Sequence, residues 1–118
     1  NTIRSRRRDF IMDDMQIASF KIISAVGMAK SYYIEAIRSS ENGDFEEATE
    51  KLKKGKEAYK EGHAVHFKLI QGEASGANQE VTILLAHAEG QLMSTEIVQI
   101  MAEQMVKANR RIYDLEHR

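Results

Sequence analysis

The side chains in this sequence best suited to chemistry are four histidines, His63, His66, His87 and His117. Cysteine is absent, which excludes thiol nucleophiles, disulfides and thiolate metal sites. No GxxxxGKS/T phosphate loop and no HExxH or CxxC metal signature occurs. His63 and His66 are one helical turn apart and could share a metal ion, but no third ligand follows at a suitable spacing. His117 lies in the C-terminal fringe and reads as solvated. His87 differs from the others in its surroundings. It ends the apolar run Val81-Thr82-Ile83-Leu84-Leu85-Ala86, and its neighbours Ala86 and Ala88 are small enough to leave the ring open to a large partner. A neutral imidazole is a good nucleophile near pH 7. Its nitrogen can accept a phosphoryl group in line and release it again, which asks little of a protein beyond positioning and donors for the phosphoryl oxygens. The same residues also fit a plainer reading, a half-buried core histidine without chemistry, and on spacing and composition alone that reading is the stronger. Met93, Met101 and Met105 read as core filler, and Glu89, Glu96 and Glu103, spaced by sevens, as a solvated strip.

The elements that must position these residues are helical. From 11 to 36, apolar or small residues recur at Ile11, Met15, Ala18, Ile22, Ala25, Ala29, Tyr32 and Ala36, in steps of three and four. Asn42-Gly43 breaks the pattern, and Asp44-Phe45-Glu46-Glu47 predicts a capping box that starts a second helix. Its stripe runs through Phe45, Ala48, Leu52, Gly55, Tyr59, Gly62, His66 and Leu69. Gly55 and Gly62 each lower helix propensity by about 1 kcal/mol relative to alanine, which points to close approach by a neighbouring helix. Gly72, Ser75, Gly76 and Asn78 form the next break.

A third helix is expected from near Glu80 to about Leu115, on the order of 50 Å long. It carries two apolar stripes where a three-helix hairpin needs one. Val81, Leu84, Ala88, Thr95, Val98, Ala102 and Met105 form the first; Ile83, His87, Gly90, Ser94, Ile97 and Met101 form the second. The chain supplies helices for one stripe only, so the second predicts a homo-oligomer with this helix at its centre, and periodicity does not separate dimer from trimer.

Composition agrees. The 118 residues, 42% hydrophobic and 30% charged, suit a single soluble domain. Proline is absent, so long helices meet no breaker, and no alternating β-branched runs support strands. A net charge of −1 gives no general attraction to nucleic acid or anionic lipid. The one basic block, Arg4, Arg6, Arg7 and Arg8, could be a nucleic-acid or membrane arm and reads more simply as part of a partly disordered tail over 1–12, ahead of one domain over 13–118. No apolar stretch approaches the ~20 residues that span a bilayer and no signal-peptide pattern precedes the first helix; a cytoplasmic protein is the default expectation.

The segment Glu80-Val81-Thr82-Ile83-Leu84-Leu85-Ala86-His87-Ala88-Glu89-Gly90-Gln91-Leu92-Met93 resembles the active-site stretch EVxLLLVHAQDHLM of the lactose/cellobiose-family IIA components of the sugar phosphotransferase system. Asn42-Gly43-Asp44-Phe45-Glu46-Glu47-Ala48 is similar to that family's G-x-FEEA helix start. Glu61-Gly62-His63 with Leu69-Ile70-Gln71-Gly72-Glu73-Ala74-Ser75-Gly76 is similar to its EAH…LIQ-x-EA-x-G stretch, and Ala36-Ile37 to its EAI run. The likeness covers about residues 15–110 in order. It implies an all-α, antiparallel three-helix bundle that assembles as a homotrimeric nine-helix bundle. It further implies that His87 accepts a phosphoryl group from phospho-HPr and passes it to a cysteine of the IIB component. A membrane IIC component then takes in a β-linked disaccharide such as cellobiose or lactose. Departures accompany the match. Gly90 replaces an aspartate that in the family holds an axial metal ion, so neither that metal nor another cofactor is expected. Gln91 replaces the motif's second histidine, and His66 and Phe67 replace a Gln-Thr pair near the site. Gln91, His66 and His63 are therefore the expected neighbours of the phosphoryl group. A divergent homologue that binds regulatory or structural partners without being phosphorylated is the alternative; a generic coiled-coil module would leave the ordered motif matches unexplained.

Overall fold

The computed structural model describes residues 13–118 as three helices: α1, Asp14–Glu41; α2, Phe45–Ala74; and α3, Ile83–Glu116. Ile11, the basic block and the expected tail over 1–12 lie outside the described residues. Short connections turn the chain back twice, so α1 and α3 run parallel with α2 antiparallel to both, the expected all-α three-helix bundle. No helix among the described residues is long and apolar enough to cross a membrane.

Local signals set the boundaries. Asp13 starts α1 with a reciprocal capping box: its Oδ1 accepts from the Gln16 backbone N–H at 2.8 Å, and Gln16 Oε1 accepts from the Asp13 N–H at 3.1 Å. The box expected at Asp44 and Glu47 does not form. Asp44 is the N-cap of α2, but its backbone (φ −94°, ψ 74°) is not the extended cap conformation and its side chain accepts no backbone hydrogen bond. Instead the Glu47 carboxyl hydrogen-bonds the Asp44 carboxylate, which raises the Glu47 pKa. Both turns close as Schellman motifs, with Gly43 (φ 79°) and Gly76 (φ 91°) in the left-handed region. Asp44 N–H donates to Ser39 O at 2.9 Å in the first, and Ala77 N–H to Gly72 O at 3.0 Å in the second. α3 begins at Ile83 rather than near Glu80 because Thr82 is its cap, with Oγ1 accepting from Leu85 N–H at 3.0 Å.

α1 packs along its length against both other helices. Ile22, Val26, Ala88 and Leu92 form one buried cluster, and Ala29, Tyr33, Ala58 and Ala102 another, with Tyr59 against both. The α1 stripe holds at Ile22, Ala29 and Ala36. Between these, Ser19, Val26 and Tyr33 are buried where Ala18, Ala25 and Tyr32 were expected. The face is wide enough to take either neighbour, and Ser19 can be buried because its hydroxyl bonds the Met15 carbonyl. Gly55 and Gly62 are both buried against α1, as their place on the stripe implied. A Cβ at Gly55 would run into the Tyr33 ring, and one at Gly62 would lie 3.2 Å from Val26 Cγ1. Buried hydroxyls are satisfied locally: Ser19 donates to Met15 O, Thr95 to Gln91 O, and Ser40 to Ile37 O while accepting from Asn109 Nδ2.

Candidate functional site

His87 lies on the second turn of α3, a few residues beyond the Thr82 cap, and is exposed. Its neighbour Ala88 is fully buried against α1, which fixes the rotation of the helix, while Ala86 is exposed and leaves the imidazole unobstructed. The half-buried core histidine is therefore not what this chain presents.

One turn further on, Gln91 is half-buried, and its Oε1 accepts a hydrogen bond from Lys30 Nζ of α1 at 2.5 Å. Lys30 was not marked by the sequence. It lies between Ala29 and Ser31 on an ordinary helical stretch, and only the packing of α1 against α3 brings it to this site.

Glu89, Glu96 and Glu103 keep an edge on solvent, as expected, but each also takes a partner on α2, giving a seam of cross-helix pairs. His66 Nε2 is 2.8 Å from Glu89 Oε2, the Tyr59 hydroxyl donates to Glu96, and Lys56 Nζ is 3.0 Å from Glu103 Oε1. A heptad spacing on α3 met by residues one or two turns apart on α2 is what two antiparallel helices at a shallow angle produce. The Lys56 hydrogen bond holds the Glu103 carboxyl below the usual carboxylate range, with help from Gln99. Burial, followed by the bond to Glu96, pushes the Tyr59 phenol up. Tyr33, fully buried and donating to Gln99 Oε1 at 3.2 Å, is pushed up to about 12 by its burial and by Glu103.

The remaining histidines are placed elsewhere. His63 is exposed on α2 and lies between two aromatic rings, with Tyr59 at 6.0 Å and Phe67 at 6.4 Å between ring centroids. His117 stacks on Tyr113 at 3.9 Å. His66 faces Glu89 rather than sharing a ligand with His63, and among the described residues no three His, Asp or Glu side chains come together. In a single chain, then, Gln91 is the expected neighbour on the helix of His87, while His66 and His63 belong to α2.

The second α3 stripe lies bare. Ile83, His87, Gly90, Ser94, Ile97 and Met101 are all exposed, with Ile83 92% and Ile97 62% accessible, and Met93 and Ile100 widen the apolar surface. A Cβ built at Gly90 meets no atom within 4 Å. An apolar face of this extent marks an interaction surface.

The structure thus presents a three-helix bundle with an exposed histidine near the start of its last helix. The model of the family "PTS system, Lactose/Cellobiose specific IIA subunit" matches residues 17–110, and the chain belongs to that family. Over 100 residues it is 35% identical to the lichenan-specific phosphotransferase enzyme IIA component of Bacillus subtilis strain 168, covering 85% of this chain and 91% of that protein. Over 106 residues it is 27% identical to the lactose-specific EIIA component of Lacticaseibacillus casei, covering 90% and 95%. Among solved structures, the cellobiose-specific enzyme IIA of Bacillus anthracis superposes with a TM-score of 0.86 at 31% identity, covering 90% of this chain and 97% of that one. The fold is also that of a chain in the IIA(Chitobiose)–HPr complex, with a TM-score of 0.77 at 22% identity, covering 86% and 99%.

Proposed function

We propose that His87 is the phosphoryl carrier: it accepts a phosphoryl group from phospho-HPr and passes it to a cysteine of a IIB component during uptake of a β-linked disaccharide such as cellobiose or lactose. The observation that carries this reading is the exposed imidazole of His87, held on α3 inside the region matched by the family model. A solved complex of a similarly folded IIA protein with HPr supports the choice of donor. In the first transfer a ring nitrogen of His87 attacks phosphorus with its lone pair. A new N–P bond forms as the N–P bond of the donor phosphohistidine breaks, and the donor imidazole leaves with the electron pair. In the second, a cysteine thiolate attacks the same phosphorus, forming an S–P bond as the His87 N–P bond breaks. Positioning and charge stabilisation suffice for both steps. Gln91 is the neighbour from the same chain, while His66 and His63 stand on α2, paired with Glu89 and with aromatic rings.

The same reading takes the bare α3 face as the core of a homotrimer, nine helices in all, working on the cytoplasmic side beside a membrane IIC component. The residues on that face do not fit the metal ion that the family resemblance associates with position 90. Gly90 offers no side-chain donor, and Ile83, Ser94, Ile97 and Met101 supply no carboxylate. Beyond His87, the carrier itself, apolar packing through residues such as Ile97 and Met101 is the role left to that face, and no cofactor enters the proposed steps.

Incubation with phosphoenolpyruvate, enzyme I and HPr, followed by intact mass, tests the carrier role. The expected result is one acid-labile phosphoryl group, lost in His87→Gln. A folded wild-type chain that gains none would leave the alternative, an unphosphorylated interaction protein.

A further inference from the structure

We propose that Lys30 is the cation that receives the phosphoryl oxygens on His87, held ready by Gln91; this deepens the carrier reading and rests on it. The two partners come from different helices. Gln91 is four residues past His87, so the two side chains are neighbours along α3, with Cβ atoms roughly 5–6 Å apart. Lys30 Nζ crosses from α1 to Gln91 Oε1 at 2.5 Å. α1 and α3 run parallel: Ile22 and Val26 meet Ala88 and Leu92, and further along Ala29 and Tyr33 meet Ala102. Helical side chains lean toward the N-terminus of their own helix. The Lys30 stem therefore leans back to the level of Gln91, the residue one turn from His87 that its ammonium meets.

Charge supplies the second argument. Among the described residues the ion pairs involve Lys51, Lys56, His66 and Arg110, and Lys30 has no carboxylate partner. Its acceptor is a neutral amide oxygen, and the side chain is half-buried. An ammonium held in this way has no carboxylate to leave when an anion forms beside it, and the attraction is stronger in a region of reduced dielectric. Transfer replaces a neutral imidazole with a group bearing up to two negative charges, and an anionic oxygen is the stronger acceptor. Lys30 then moves from the Gln91 carbonyl to a phosphoryl oxygen, and the freed carboxamide can turn its N–H₂ toward the same group. On discharge to a thiolate the lysine returns to Gln91. No covalent bond to Lys30 forms or breaks.

The test is single-turnover transfer from phospho-HPr, followed by rapid quench and intact mass. Lys30→Met slows phosphoryl uptake by about tenfold or more, since loss of one donor at a developing anion costs ~10²-fold in enclosed sites and less where water has access. Lys30→Arg restores most of the rate, and Lys54→Met, at an exposed lysine on α2, matches the wild type. In ¹⁵N-labelled wild-type protein the Lys30 ammonium resonance moves on phosphorylation, a signal that a purely structural lysine would not give. Lys30→Met at the wild-type rate, or an unmoved ammonium resonance in the phosphorylated wild type, overturns the proposal. A wild-type chain that gains no phosphoryl group overturns the carrier reading and this one with it.

Discussion

His66 Nε2 and Glu89 Oε2 stand 2.8 Å apart, tying α2 to α3 two residues beyond His87. The pair is half-buried, so the bond contributes about 0.5–1.5 kcal/mol. A double-mutant cycle with His66→Ala and Glu89→Ala, read by urea unfolding, should return a coupling energy of about that size. Phosphoryl uptake by His66→Ala should stay close to wild type. A large loss of uptake with normal stability would instead put His66 in the phosphoryl site.

The two buried glycines of α2 should respond differently to one methyl group. At Gly55 an added Cβ collides with the Tyr33 ring, which has no room to retreat in a fully buried cluster. Gly55→Ala should therefore lower stability by about 1–3 kcal/mol despite the better helix propensity. At Gly62 the nearest atoms are Val26 Cγ1 at 3.2 Å and Ala25 Cβ at 3.3 Å, so a shift of a few tenths of an ångström relieves the contact. Gly62→Ala should stay within about 1 kcal/mol of wild type. Denaturant midpoints at constant m-value decide both.

The bare face of α3 predicts assembly. Ile97→Lys combined with Met101→Lys should yield a helical monomer by sedimentation velocity, and the wild type should sediment as the proposed trimer. Both side chains are exposed in the single chain, so the substitutions cost the subunit little, whereas burying their ammonium groups unpaired at an interface costs several kcal/mol each. A double variant that still assembles like the wild type would move the interface elsewhere.

Alkaline titration probes the core. With its phenol raised to about 12, Tyr33 contributes stability that is fully present below the ordinary tyrosine value of about 10 and is lost as pH rises through about 12. Phenolate absorbance and far-ultraviolet circular dichroism should show late ionisation accompanied by loss of helix, and Tyr33→Phe should reduce the late phenolate signal to the share of Tyr59, which is also raised. At the acid end the sign reverses. The Glu103 pKa is lowered by Lys56, so its contribution is present above the ordinary carboxylate value and lost as pH falls through the folded one. Lys56→Met should shrink the acid-side loss. The pair is partly exposed, so the effect is small.

Periodicity revealed three helices, both breaks, the packing role of Gly55 and Gly62, and the unpartnered second stripe of α3, because each depends on neighbours three or four residues away. It misplaced Ala18, Ala25 and Tyr32 by one position, because adjacent residues both fit a wide apolar face and only the partner helix chooses between them. The Asp44 box failed for a related reason: the motif was present, but the turn that set Asp44's backbone was fixed by Gly43 and Ser39. Glu89, Glu96 and Glu103 looked like a wetted edge alone since their partners on α2 are distant in sequence. His87 stood out by its small neighbours and family motif. Lys30 did not, since its one distinguishing contact lies 61 positions away.

The fit of Tyr33 into the hollow at Gly55 also works as a bolt between α1 and α2. Helices that meet mainly through alanines and glycines have smooth surfaces that could slide past each other, and a one-turn slip moves every later residue by about 5.4 Å. A ring seated in a notch permits one axial setting only. The hydroxyl of the same ring donates to Gln99 of α3, and Lys30 is a single turn away on α1, so the bolt also indexes its ammonium against α3, and loosening it would detune the far end of the molecule without touching an imidazole.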